Sequence, residues 1–228
     1  MIPGLLTLLQ FADGLFPAGG FAHSFGLETY AQDGRVRNRA ELEAFVAAHL
    51  EGSAGPADAV AVAIASRHAA DGDVDATLAL DAQVDAMKIV PEYRAASLQM
   101  GRQTLRVAQA LGDDAFLAAL ARAVDDRRSP GHHPVAFGAA LGRAGLDAEQ
   151  AATAYLYSTS ALLVGAGLRL IALGQIDGQR VIAALRPCIV RLAARAAVAK
   201  VDDMWSFNPG LELAGLRHAT LDVRLFRS

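Results

Sequence analysis

Ala151-Ala-Thr-Ala-Tyr-Leu-Tyr-Ser-Thr-Ser-Ala-Leu-Leu-Val-Gly-Ala-Gly-Leu-Arg-Leu-Ile-Ala-Leu-Gly174 is the most hydrophobic run in the chain. A membrane-spanning helix needs about 20 predominantly apolar residues, and Tyr155, Tyr157, Ser158, Thr159, Ser160 and Arg169 interrupt this one. The run therefore reads as the central buried helix of a soluble bundle. Composition agrees: Ala, Leu and Val dominate a 53% hydrophobic content with only 6% aromatic residues, which favours close-packed helices over aromatic-rich strands. At 228 residues one core can bury about 70% of the unfolded surface. The expectation is an all-α, single-domain bundle of eight to ten helices spanning residues 1–228.

Toward the C-terminus, Asp177-Gly-Gln-Arg180 starts a helix reaching about Lys200, with a kink at Pro187. Composition then shifts: residues 201–228 hold the only Trp, Trp205, and Asn208-Pro209 provides a cap and first-turn pair for a short helix. This segment reads as a partner-binding tail. Working back from the central run, Asp147-Ala-Glu-Gln150 places acidic residues in its first turn. His132-His-Pro-Val-Ala-Phe-Gly138 opens a helix, and Asp125 to Gly131 reads as an exposed hinge. Glu92 to Leu111 is helical, with Gly112 placed as a cap; its ridge of Arg94, Ser97, Gly101 and Leu105 would admit another helix closely. Val74 to Val90 and Ala57 to Ala70 are two more helices, the latter with His68 near its end, where a protonated imidazole suits the helix dipole. Gly52 to Pro56 reads as a break, preceded by a capped helix from Asn38 and a short helix over Ala22 to Gln32.

The opening segment Phe11-Ala-Asp-Gly-Leu-Phe-Pro-Ala-Gly-Gly-Phe-Ala-His-Ser-Phe-Gly-Leu-Glu28 is denser in Gly and Phe than a linker requires. Pro17 fixes its own φ, and Gly19 and Gly20 admit angles closed to other residues, Gly20 being a candidate for positive φ. Such a turn is either a packed connection or a surface presenting Phe16, Phe21, His23 and Glu28.

The formal charge of −3 and pI near 6.0 leave no basic footprint for nucleic acid or for a membrane surface. The one cysteine, Cys188, reads as a small buried side chain and suits a reducing cytosol. Met1-Ile-Pro-Gly4 lacks the charged region of a signal peptide. No phosphate loop, dinucleotide fingerprint or CxxC occurs. His132-His133 is the only region inviting a metal-dependent enzyme reading, and adjacent histidines lack the i, i+4 spacing of a closed site. A generic helical scaffold is the third possibility.

Five motifs resemble the urease accessory protein UreF family. They are Leu8 to Phe11 with Leu15 to Phe21 and His23 to Glu28; Arg94, Ser97, Gln99, Met100, Gly101 and Leu105; His132 to Gly138; Leu173-Gly-Gln-Ile-Asp-Gly-Gln179; and Leu216-Arg-His218 with Arg224-Leu-Phe-Arg-Ser228. Two positions depart from the family pattern, Ala172 in place of Pro and Ala219 in place of an acidic residue. The resemblance implies an all-α cytoplasmic protein without catalytic chemistry or a cofactor of its own. It implies a homodimer that binds UreD (also called UreH) and recruits the GTPase UreG, so that the assembled complex delivers nickel to the urease apoprotein. The residues it assigns to partner binding are Phe16, Pro17, Gly19, Gly20, Phe21, His23, Glu28, Arg94, Ser97, Gly101, Gln175, Gln179, Arg217, His218, Arg224, Leu225 and Phe226.

Overall fold

The computed structural model describes residues 2–228, with side chains from Gly4 onward, and every regular element among them is helical. The helices are α1 (Ile2–Ala12), α2 (Leu27–Gln32), α3 (Arg39–His49), α4 (Val60–Asp71), α5 (Val74–Met87), α6 (Pro91–Leu111), α7 (Ala115–Asp125), α8 (His133–Arg143), α9 (Ala148–Leu170), α10 (Gln175–Val198) and α11 (Pro209–His218). Short 3-10 turns occupy Gly20–Ala22 and Val201–Asp203. This is the expected all-α architecture.

The central run is α9. Its start is a reciprocal cap, in which Gln150 N–H donates to the Asp147 carboxylate at 2.8 Å and Asp147 N–H donates back to the Gln150 side chain at 3.1 Å. By length and composition α9 could cross a membrane, yet 56% of its apolar window is packed inside this fold, against α1, α3, α4, α8 and α10. Leu156, Leu163 and Val164 are buried there with Leu42, Ile64 and Leu185, each large side chain contributing about 1.5–3 kcal/mol. A second layer joins α8 to α1 and α7 through Phe11, Phe116, Phe137 and Leu141. α8 lies close on α4: a Cβ at Gly138 would fall 2.3 Å from the Val62 carbonyl oxygen, so only glycine permits that spacing.

Several expectations are corrected. Gly52 to Pro56 does not break the chain: Leu50–Ala59 is a π-helical segment joining α3 and α4 into one continuous rod. Proline there removes a backbone donor, and the Gly52 carbonyl accepts Phe207 N–H at 2.8 Å from outside the helix. Ala22 to Gln32 is not one helix, since an extended His23 separates the Gly20–Ala22 turn from α2. Gly112 follows α6 but is extended, with φ −179°, and is not a left-handed cap. Helix α10 begins at Gln175, before the expected Asp177, and ends at Val198, with Pro187 inside it. Asp125 to Gly131 is not a free hinge at its far end, because Asp81 accepts hydrogen bonds from Ser129 Oγ, Gly131 N and His132 N. Burial lowers the pKa of His68, which opposes the protonated role at the end of α4. Cys188 is only half-buried, donating from Sγ to Glu51, and burial pushes its thiol up to about 11.

Candidate functional site

The opening segment and the C-terminal residues meet. Ser24 N–H, Ser24 Oγ and Phe25 N–H all donate to the Ser228 carbonyl oxygen at 2.6–3.1 Å, and Arg227 N–H donates to the Ala22 carbonyl at 2.8 Å. Residues 224–228 thus form a strap across the segment. The turn that receives it needs left-handed backbone at Gly19 (φ 87°), Phe25 (φ 49°) and Gly26 (φ 86°). Gly20 does not adopt positive φ, contrary to expectation; a Cβ there would instead press on Leu162 Cδ1 at 2.5 Å and Met100 Cε at 3.2 Å.

Arg169 of α9 clamps the junction. Its guanidinium lies 3.7 Å from the Phe21 ring centroid and 4.2 Å from that of Phe226, a cation–π sandwich worth on the order of 1 kcal/mol per ring. Burial lowers its pKa. Phe226 is buried, while Leu15, Phe21 and Leu225 are 90%, 73% and 61% exposed. Beneath the loop, against α9, runs a groove of about 500 Å³ lined by Phe11, Phe16, Pro17, Phe21, Leu162 and Arg169. An apolar rim on a braced base is therefore available to a partner.

Glu28 and His218, expected to face a partner, lie inside. Glu28 accepts Leu225 N–H at 2.6 Å, Phe226 N–H at 3.0 Å and the His218 Nε2 proton at 3.0 Å, while His218 Nδ1 sits 2.7 Å from Glu92 Oε2. His23 is buried too, its Nδ1 paired to Ser228 Oγ at 2.9 Å. Burial first, and the Arg227 charge second, lower its pKa to about 4. These three residues shape the loop and strap from within.

Ser97 and Gly101 are also internal. The small-residue ridge on α6 is filled by the protein's own α7–α8 connection: a Cβ at Gly101 would lie 2.0 Å from the Gly131 carbonyl oxygen. It is not open to a second copy. Ser97 Oγ bonds His132 Nδ1 at 3.0 Å and His132 Nε2 bonds Asp85 at 2.8 Å, with Arg94 gripping the same carboxylate at 2.7 Å and holding its pKa down. Ser97 Oγ also accepts His133 N–H at 3.3 Å and His132 is fully buried, so the serine–histidine–aspartate row ties α5, α6 and α8 together.

Beside it lies a partly open pocket of about 80 Å³ whose lining includes His49, Asp58, Lys88, Ser97, His133 and Tyr155. Lys88 Nζ pairs with Asp58 at 2.6 Å and Tyr155 OH donates to Asp58 at 3.3 Å. Burial lowers both His49 and His133 to about 4, so both rings are neutral at pH 7. His132 and His133 do not converge: the first ring faces Ser97 and Asp85, the second packs on Phe137 and Tyr155. Among the described residues no group of three or more His, Cys, Asp or Glu is placed to hold a metal ion.

The remaining assigned residues are exposed or half-exposed. Gln175 and Gln179 are exposed at the start of α10, Arg217 is exposed and forks onto Asp33 at 2.7 and 3.0 Å, and Arg224 reaches Glu92 at 3.2 Å. Sequence reasoning missed Glu92, Asp85, Asp81, Asp58 and the clamping role of Arg169. Only Arg169 left a signal, as a lone charge in an apolar run.

The family profile described as UreF matches residues 36–186, leaving the opening segment and the strap outside the match. Relatives match over nearly the whole chain. The urease accessory protein UreF of Trichodesmium erythraeum (strain IMS101) is 32% identical over 223 residues, 97% of this chain and 95% of that protein. The UreF of Actinobacillus pleuropneumoniae is 30% identical over 97% of this chain and 98% of its own length. UreF 2 of Brucella abortus (strain 2308) is 30% identical over 99% of this chain and 92% of its own.

Proposed function

This chain belongs to the UreF family of urease accessory proteins, and from that premise we propose that it matures urease without catalysing a reaction itself. It acts in the cytoplasm as a homodimer that binds UreD/UreH and recruits UreG, and the assembled complex, including the urease apoprotein, handles nickel. The single observation that carries the partner-binding part is the loop–strap junction, where Leu15, Phe21 and Leu225 stand exposed over the Arg169 clamp. Exposed apolar clusters of this kind are costly in water and mark interaction sites. His23, Glu28 and His218 serve that surface from below, and Gln175, Gln179 and Arg217 lie at exposed positions elsewhere on the protein.

The test is capture of UreD and UreG by the purified protein, with a Phe21→Glu, Leu225→Asp double variant beside it. Both side chains are exposed, so the variant should melt within a few degrees of wild type while capture of UreD falls at least tenfold. Full capture by a folded variant would remove the junction from partner binding.

A further inference from the structure

The buried contact between Glu28, His218 and Glu92 sets a condition on protons. His218 and Glu28 are sealed from solvent and Glu92 nearly so, with side-chain exposures of 0%, 3% and 21%. Each imidazole nitrogen faces a carboxylate oxygen, at 3.0 Å for Nε2 and 2.7 Å for Nδ1. A carboxylate only accepts hydrogen bonds, and a neutral imidazole has one N–H and one lone pair. With a single proton on the ring, one contact becomes acceptor against acceptor. Both contacts hold only when the triad retains one further proton, making the ring an imidazolium between two carboxylates. Charge points the same way: Glu28 of α2 and Glu92 of α6 carry two negative charges, and Arg224 of the strap supplies one positive charge through Glu92 Oε1 at 3.2 Å. Arg217 is turned outward to Asp33, and Tyr93 OH donates to the Leu211 carbonyl. The imidazolium brings the buried cluster to neutrality; without it a net negative charge stays in low dielectric, which is costly.

We propose that the Glu28–His218–Glu92 triad is a proton-dependent latch for the C-terminal strap. Glu28 also receives the strap's Leu225 and Phe226 N–H groups. When the extra proton leaves, one carboxylate must turn away from the ring: if Glu28 turns, the two amides lose their acceptor, and if Glu92 turns, the strap's Arg224 loses its ion pair. Phe226 then slides from Arg169. The docked strap holds one more proton than the released one, so its docking constant weakens with rising pH, by up to tenfold per pH unit for one linked proton. Docking is therefore favoured at low pH and weakens as the pH rises.

This inference concerns the protein alone, so its test needs no partner and its outcome is independent of the function proposed above. Amide hydrogen exchange at Leu225 and Phe226 is followed from pH 5.5 to 8.5, corrected for intrinsic base catalysis, with α9 amides as an internal reference. Nitrogen-15 shifts of the His218 ring report its protons directly. Wild type should show both ring nitrogens protonated at pH 6, and strap protection should fall about tenfold per pH unit once the ring loses its proton, while α9 stays protected. In Glu92→Gln the amide NH₂ can donate to a neutral Nδ1, so strap protection should become independent of pH. A singly protonated ring at pH 6, flat strap protection in wild type, or the same fall in Glu92→Gln as in wild type would each overturn the latch.

Discussion

Gly101 shows how a residue can be read correctly and its neighbour wrongly. Small residues at Ser97 and Gly101 do mark a close approach, but what approaches is Gly131 to His133 of the same chain. Spacing along a helix fixes which face a residue occupies; it does not say whether the next surface belongs to the chain or to a copy. Gly101→Ala should therefore lower stability by about 1–3 kcal/mol through overpacking, read as a drop in melting temperature. An unchanged melting temperature would mean the α7–α8 connection yields freely. Gly20→Val acts through contact and not through backbone strain. The contact is with Leu162 and Met100, both ends of flexible side chains, so the fold should survive with a smaller loss than Gly101→Ala shows in the same melt.

Helix starts were the most legible elements, because each is written in a few adjacent residues. Asn38, Asp147 and Asn208 cap α3, α9 and α11 with their side chains, as their sequences announce. The continuous helix over Gly52 to Pro56 was not legible, because the N–H groups that reach its Gly52 and Pro56 carbonyls, those of Phe207 and Trp205, are remote in sequence. The tail was legible as a unit of unusual composition but not as a strap, since Glu28 and the Ala22 carbonyl receive it from the far end of the chain. Deleting residues 224–228 should leave the helices in place, as none of them includes those residues. Exposing the Phe226 site and stripping Glu28 and Ser24 of partners should cost roughly 2–4 kcal/mol, measured by chemical denaturation followed by circular dichroism. Loss of the helical signal altogether would place the strap in the folding core.

At the scale of the molecule, buried imidazoles shape the response to acid. His23, His49 and His133 are each lowered to about 4, chiefly by burial. In the unfolded chain they titrate near ~6.5, so between these values the unfolded state binds more protons and stability falls as pH falls. Each histidine can contribute up to about 1.4 kcal/mol per pH unit in that window. Denaturation midpoints should drop steeply from pH 6.5 to 4, and His49→Gln should blunt the slope; a flat profile would contradict the burial of these rings. The all-α fold itself was legible throughout, because composition and helical periodicity sum over the whole chain. The interior polar network was not, because Asp58, Lys88, His49 and Tyr155 come from four separate segments.

The π-helical joint has a further consequence for the order of events during synthesis. Its Gly52 carbonyl and that of Pro56 are satisfied by Phe207 and Trp205, which leave the ribosome some 150 residues later. Until they emerge, the middle of the α3–α4 rod lacks those partners, and a nascent chain short of Trp205 carries two helices meeting at an incomplete joint. Contacts of such sequence separation slow folding relative to local ones. Completion of that rod is therefore a late step, and a nascent chain that stops short of Trp205 should be cut by proteases at residues 50–59 more readily than the finished protein.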